Sequence, residues 1–437
     1  MSELRVRGPE KTEEDGPRRG DPVALVGKVV REPSVQLLAS QVLTGGVAMA
    51  ANILMVRSLT PTHRGEVALM LQVVYLVTQV LLLGTERSFV ATYHNVSPAP
   101  AVRAYARLLA VPALVFLLGA MVWQLAAPHR LSPGPLIMAM LAWFALIEAT
   151  SLATRSIAIA VGRVRDFLLA RVIEALLLLA MLVGLYVTGA SHPEMWFLAY
   201  LIAGATPTLI YLWIWLRLPV PAGAAPVARE QNRRVRREGL SLFPAAISNM
   251  AMLRVDRLVI PALASTAALG HYTAVATMTE LLAWPIRAYA DSRLGRWRAS
   301  HNDGALRAGP IVVFAALYVL VVVPLVAGGL YLLIEPLFGH EYADAKVVVL
   351  PLVVAAGLYA VSRVSLGLLI AKGHGGLVSA AEIAGFVVSF AAYVLLIPKM
   401  GILGAAYGSL AGYGACLVFS MVASRMVGRG LGGADHK

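Results

Sequence analysis

The sequence predicts an all-α polytopic membrane protein of about twelve transmembrane helices arranged in two six-helix lobes. Three observations predict it. The 437 residues are 59% hydrophobic and only 14% charged, with a mean hydropathy of +0.74, against the roughly 45–50% apolar and 25% charged of ordinary soluble domains. The apolar residues come in long runs, such as Val313 to Leu333, broken only by Pro324, Gly328 and Gly329. That pattern suits a helix crossing hydrocarbon and not the in-out alternation of a membrane barrel strand. Finally, the longest internal polar stretch falls near the middle of the chain, from Arg217 to Glu238.

Breaking the apolar windows at charged or Pro/Gly-rich joints places spans near 35–57, 66–89, 106–127, 135–160, 167–188 and 195–216. A second set follows near 240–264, 271–294, 311–334, 345–370, 377–397 and 402–424. Residues 1–33 contain Pro9, Pro17, Pro22 and the acidic run Glu13-Glu14-Asp15. They have no apolar core of a signal peptide and read as a disordered cytoplasmic tail. The first lobe is expected over 34–217, a basic cytoplasmic linker over 218–238, the second lobe over 239–427 and a short cytoplasmic tail over 428–437.

The formal net charge of +13 follows membrane orientation and gives no nucleic-acid signature. Alternate joints carry Arg103 and Arg107, Arg163 and Arg165, the linker residues Arg229, Arg233, Arg234, Arg236 and Arg237, then Arg293, Arg296, Arg298 and Arg307, Lys372, Arg425 and Arg429. The intervening joints hold only Arg64, Arg130, Lys346 and Lys399. By the positive-inside rule both termini are expected in the cytoplasm.

The two lobes resemble each other in sequence. Leu59-Thr60-Pro61-Thr62-His63-Arg64-Gly65, between spans one and two, parallels Leu263-Ala264-Ser265-Thr266-Ala267-Ala268-Leu269-Gly270, between spans seven and eight, with one residue inserted. Setting Gly65 against Gly270 aligns a polar seam of Gln72, Tyr75, Gln79 and Glu86 with one of Thr277, Glu280, Trp284 and Asp291. Spacings of three, four and seven put each seam on one helix face.

Polar groups at bilayer depth need protein or a wet cavity beside them. The candidate cavity residues are therefore Arg254, Asp256, Arg257, Glu148, Arg155, Glu280, Trp284, Gln79 and Glu86. Cavity lining and structural ion pairing are both open for them. Arg254 and Arg257, three apart on one face, suit forked donation to a phosphate or diphosphate. Arg57, Glu86, Arg87, Arg171, Glu174, Arg363 and Glu382 lie nearer helix ends, and for Arg57, Arg87, Arg171, Arg287 and Arg363 structural ion pairing or snorkelling is the simpler reading.

Nothing in the chain suggests an enzyme. It has no phosphate-binding Gly-x-x-x-x-Gly-Lys loop and no histidine pair at metal-ligand spacing, and its single cysteine, Cys416, sits in an apolar run. No cofactor and no metal are expected.

Several segments resemble a known family. They are Arg57-Ser58-Leu59-Thr60-Pro61 with Arg64-Gly65, Val255-Asp256-Arg257-Leu258-Val259-Ile260 with Leu269-Gly270-His271-Tyr272, Leu337-Phe338-Gly339-His340-Glu341-Tyr342, and Leu396-Ile397-Pro398-Lys399-Met400-Gly401-Ile402 with Gly404-Ala405-Ala406. Together they are similar to the polysaccharide or lipid-linked oligosaccharide flippases of the multidrug/oligosaccharidyl-lipid/polysaccharide (MOP) exporter superfamily, over about Pro33 to Val427. The resemblance implies two lobes in a V around a central cavity, alternating access, and an undecaprenyl-diphosphate-linked oligosaccharide carried across a bacterial inner membrane for surface polysaccharide synthesis. Membrane lipid and glycan polymerase machinery are the partners expected with it; with no ATP site, uphill transport would draw on a proton or sodium gradient, a partner or removal of product, and with no soluble domain a monomer is the default expectation. Two other readings stay open: an ion-coupled multidrug or cation antiporter of the same fold, and a non-transporting scaffold for envelope assembly. The first span, with Gln36, Gln41, Thr44 and Asn52 in place of carboxylates, speaks against the antiporter.

Overall fold

A computed structural model describes residues 33–93, 96–126, 134–220 and 229–432. The remainder of the N-terminal tail, the Pro-rich part of the linker and the last five residues lie outside that description. Among the described residues all regular structure is helical. The helices are α1 (Pro33–Ser58), α2 (Pro61–Leu82), α3 (Thr85–Thr92), α4 (Pro98–Ala126), α5 (Pro135–Ala160), α6 (Val164–Val187), α7 (Pro193–Arg217), α8 (Arg229–Arg254), α9 (Asp256–Leu263), α10 (Thr266–Asn302), α11 (Ala308–Phe338), α12 (Val349–Ala371), α13 (Gly375–Met400) and α14 (Ile402–Gly432), with a 3-10 segment over His340–Val348. Among the described residues nine helical stretches are long and apolar enough to cross a bilayer, and Leu43–Ser58 adds a shorter apolar one. The chain is a multi-pass membrane protein. Wide apolar faces, including Leu114, Val115 and Leu125 on α4 and Leu320, Leu325 and Leu332 on α11, are exposed, as helices that meet lipid require.

Helices α1 to α7 pack mainly on one another, around an aromatic core of Phe89, Tyr93, Tyr105, Phe144, Phe197 and Trp215. Helices α9 to α14 form a second bundle. In it α14 presents Gly404, Gly408 and Gly412 at every fourth position to α13. Without side chains there, the two backbones approach closely, the small-residue packing that replaces hydrophobic driving force inside membranes. Tyr393 lies against Gly408 and Ser389 against Gly412.

Local breaks alter four of the expected elements. The second span was read as continuous over 66–89, but Leu83 (φ 49) and Gly84 (φ 70) are left-handed and end α2. The stretch carrying Glu86 becomes the separate helix α3. The seventh span divides at Val255 into α8 and α9. Residues 229–238, expected as part of a polar linker, are instead the first turns of α8. One face of those turns is buried: Val235 is inaccessible, Ser88 Oγ donates to Val235 O at 2.9 Å, and Tyr93 Oη donates to Asn232 Oδ1 at 2.7 Å. The eighth span, α10, runs on to Asn302 because Trp297, beyond the expected end, is buried close to Gly367.

The bundles meet tightly at the end carrying the α1–α2 and α9–α10 joints, here called the clasp end. A Cβ on Gly65 would collide with the carbonyl oxygen of Thr266, and one on Gly270 with that of Pro61. Each obstacle is backbone and cannot swing aside. Around this reciprocal contact Asn52 Nδ2 donates to Ala274 O at 2.9 Å, Tyr342 Oη to Leu59 O at 3.1 Å, and Arg57 to the carbonyls of Leu337, at 2.6 Å, and Pro336. Gly65→Ala and Gly270→Ala are each expected to part this end. Spin labels at Thr62 and Ala264 should then report longer distances in either variant than in the parent, whereas unchanged distances would mean that the contact is not what closes it.

Candidate functional site

A cavity lies between the bundles, walled by α1, α2, α5, α6 and α7 on one side and by the ends of α8, α9 and α10 on the other. It holds about 270 Å³ of room for water, inside about 1290 Å³ of non-protein space that includes its mouth. The tighter figure is just under the ~300–1,000 Å³ of small-molecule pockets, so a large cargo requires the bundles to part.

Its wall is charged. Arg64, Arg171, Arg254 and Arg257 face Glu148, Glu174 and Glu280, leaving one positive charge in excess. Glu280 sits on α10 about 21 Å along the axis from Thr266. It bridges the two arginines of the neighbouring helices α8 and α9. Its Oε2 lies 3.0 Å from Arg254 Nη2, and its Oε1 pairs with Arg257 Nη2. Across the cavity Arg171 Nη1 donates to both oxygens of Glu174, at 2.9 and 2.8 Å. The Arg254 guanidinium stands 5.9 Å from the ring centre of Tyr75 on the opposite bundle, within cation–π range. Trp284 reaches α1, where only the absent side chain of Gly45 leaves room for its ring.

Several buried polar atoms in this wall have no protein partner among the described residues. They include Nε of Arg64, Nε of Arg257 and both amide atoms of Gln72, a residue 1% exposed. Buried polar atoms are paired in folded proteins with few exceptions. Their clustering on one cavity marks a surface suited to water, sugar hydroxyls or phosphate oxygens.

Five of the nine sequence candidates come together here: Glu148, Arg254, Arg257, Glu280 and Trp284. Four do not. Asp256 lies one residue from the wall but turns into a second, smaller cavity with Tyr272, Ser409 and Tyr413. There it accepts from the Arg257 backbone N–H at 2.8 Å and from Tyr272 Oη at 2.6 Å, so its carboxylate is used in holding the first turn of α9. Gln79 lies past the last wall residue of α2, Tyr75. Glu86 is carried off the seam by the Leu83–Gly84 break. Arg155 is exposed, two turns along α5 from Glu148 and outside the cavity wall.

The charge pattern places Arg64 in a joint between spans, yet it is 3% exposed and donates from Nη2 to Asn52 Oδ1 at 2.9 Å. Its signal was available: it stands next to Gly65, which the comparison of the two halves had set against Gly270. Arg171 and Glu174 also face the cavity, although their place near a helix end suggested snorkelling. Their spacing of three on one face, opposite Glu148, is the corresponding clue.

No protein-family model and no curated protein matches the sequence. The architecture itself is shared with solved transport proteins. An inward-facing multidrug-resistance MATE-family transporter of the MOP superfamily superposes with a TM-score of 0.67 at 15% identity, over 92% of this chain and 97% of that one. The lipid II flippase MurJ in an inward closed conformation gives 0.65 at 10% identity, over 90% and 87%. An outward-facing MATE-family transporter gives 0.53 at 16% identity, over 89% and 95%. The class is thus a two-bundle, all-α membrane fold with a charged cavity between the bundles. The fold is the one these MATE-family and MurJ structures share.

Cysteine scanning tests the wall. In a Cys416→Ser background, Thr277→Cys should react with a water-soluble thiol reagent in membranes about as fast as an exposed control. Gln79→Cys should react at least about tenfold more slowly, the contrast expected between a wet cavity and packed protein. Equal rates would show that the polar seam of α2 is wet beyond Tyr75.

Proposed function

We propose that this protein is a flippase that moves an undecaprenyl-diphosphate-linked oligosaccharide across a bacterial inner membrane by alternating access. The observation that carries this reading is the cavity of four arginines deep between two bundles of membrane helices. Arginine at such depth is costly unless it serves a charged partner, and its planar fork suits phosphate oxygens. The unpartnered amide of Gln72 and the hydroxyls of Thr273 and Thr277 offer polar contacts for sugar. The isoprenoid tail is apolar and stays in lipid beside the exposed faces of the helices.

In this reading both termini and the arginine-rich start of α8 lie in the cytoplasm, by the distribution of Arg and Lys. The clasp end then faces outward, closed, in keeping with the higher superposition scores to inward conformations than to the outward one. The alternating-access step is a parting of the clasp and a closing of the opposite end.

A cation or drug antiporter of the same fold is the second reading, supported by Glu148, which lines the cavity between Arg171 and the seam of α2. The excess of arginine over carboxylate favours an anionic cargo.

Proteoliposomes distinguish the two. With a fluorescent polyprenyl-diphosphate saccharide in one leaflet, the protein should speed its transfer. The double variant Arg254→Ala/Arg257→Ala should lose about 10–100-fold of that rate, the scale of one or two charge-assisted hydrogen bonds, while keeping its elution volume. Transfer unchanged in the double variant would overturn the diphosphate reading. Cation-driven efflux of a cationic dye in its place would establish the antiporter.

A further inference from the structure

The two arginines assigned to the cargo's diphosphate already hold an anion of the protein's own. Glu280 spans them, one oxygen to each, Oε2 at 3.0 Å from Arg254 and Oε1 in a close pair with Arg257. The arginines belong to different helices, on either side of the break at Val255, and the carboxylate comes from a third, α10. The pair is not a dry structural one. The Glu280 side chain is 34% exposed to the cavity, although Arg257 beneath it is only 9% exposed. Glu280 also lines both cavities: it stands at the partition between the charged central one and the smaller one. Arg287, two turns further along α10, lines the smaller cavity too. In the smaller cavity Asp256 is already engaged by Tyr272.

From this geometry we infer that Glu280 is the cavity's internal counter-anion and sets the charge that a cargo must carry to be taken up. This rests on the anionic-cargo reading given above. One carboxylate brings a single negative charge to two guanidiniums, and the Nε of Arg257 stays without a protein partner. A diphosphate brings more charge and more acceptor oxygens to the same two groups, so it displaces the carboxylate. A monoanion offers no more than Glu280 itself and is rejected. The same residue completes the cycle. When the cargo leaves, Glu280 returns and neutralises Arg257, so the buried guanidinium is not left bare in the membrane. Selection is therefore a comparison between two anions at one pair of arginines.

The test uses the full-length protein in nanodiscs with two water-soluble probes of matched hydrocarbon, geranyl diphosphate and the monoanionic geranic acid, with binding followed by calorimetry. The parent should bind the diphosphate and not measurably the carboxylate. Glu280→Gln, which keeps the shape and removes the charge, should bind the diphosphate about tenfold tighter and should now bind geranic acid as well. Glu280→Asp, which keeps the charge but shortens its reach, should fall between the two and serves if the glutamine variant does not give a monodisperse protein. Diphosphate binding in the parent that is lost in Arg257→Ala, yet no tighter in Glu280→Gln and with geranic acid still refused, would overturn the counter-anion role and leave the anionic-cargo reading standing. No diphosphate binding in either the parent or Glu280→Gln would overturn both.

Discussion

A guanidinium at the depth of Arg257 has to be neutralised, and the rest of the interior follows from that requirement. With 9% of its side chain exposed, leaving it without a counter-charge would cost about 3–5 kcal/mol, a large share of the roughly 5–15 kcal/mol that separates a folded domain from its unfolded chain. The counter-charge comes from α10, so α8, α9 and α10 are tied together at one point by Arg254, Arg257 and Glu280. The facing bundle answers with Tyr75 under Arg254 and with its own pair, Arg171 and Glu174. Each side is close to neutral by itself, which lets the bundles separate without exposing a bare charge to lipid.

The bundles are joined by two unlike devices. At the clasp end contact is direct, through Gly65 and Gly270, and depends on hydrogen bonds to backbone carbonyls. At the other end the link is α8. Its first turns lie on the first bundle through Val235 and Asn232, while its last turns lie on the second, where Asn249 Nδ2 donates to Glu382 Oε1 at 2.9 Å and Met252 packs beside Gly385. Gly239 extends the first attachment, its backbone close against Leu83 and Thr85, and Pro244 falls between it and the second. Proline removes one hydrogen bond of the helical ladder, so the helix is weakest where it changes partners. A clasp of backbone contacts at one end and a jointed helix at the other permit rocking about α8.

The legibility of the sequence varied with the scale of the feature. Long apolar runs specified the helices, because a helix is the only open-chain structure that satisfies its own backbone in hydrocarbon. The match of the Gly65 and Gly270 joints was also readable, and the two glycines turn out to touch across the clasp. Less legible were the breaks. Leu83 carries a left-handed conformation with no sequence mark except the glycine that follows it, and Val255 interrupts a helix six residues ahead of the breaker Pro261. The basic start of α8 reads as linker since its arginines dominate the composition, while the residues that anchor it, Asn232 and the single apolar Val235, are isolated positions among them.

What the sequence alone determined was the class of protein, the order of its helices, and the face of each helix on which its polar groups lie, since hydropathy and a period of 3.6 residues are local properties of the chain. What only the tertiary structure decided was which of those faces meet. Arg64 reaches the cavity because the first turn of α2 is pressed against α10. Asp256 leaves it because α9 begins there and takes its carboxylate for a backbone N–H and a tyrosine. Glu280, on α10 and so on the helix of neither arginine, serves both of them. A face on one helix has no partner until helix crossings and breaks supply it, and those depend on contacts between residues hundreds of positions apart.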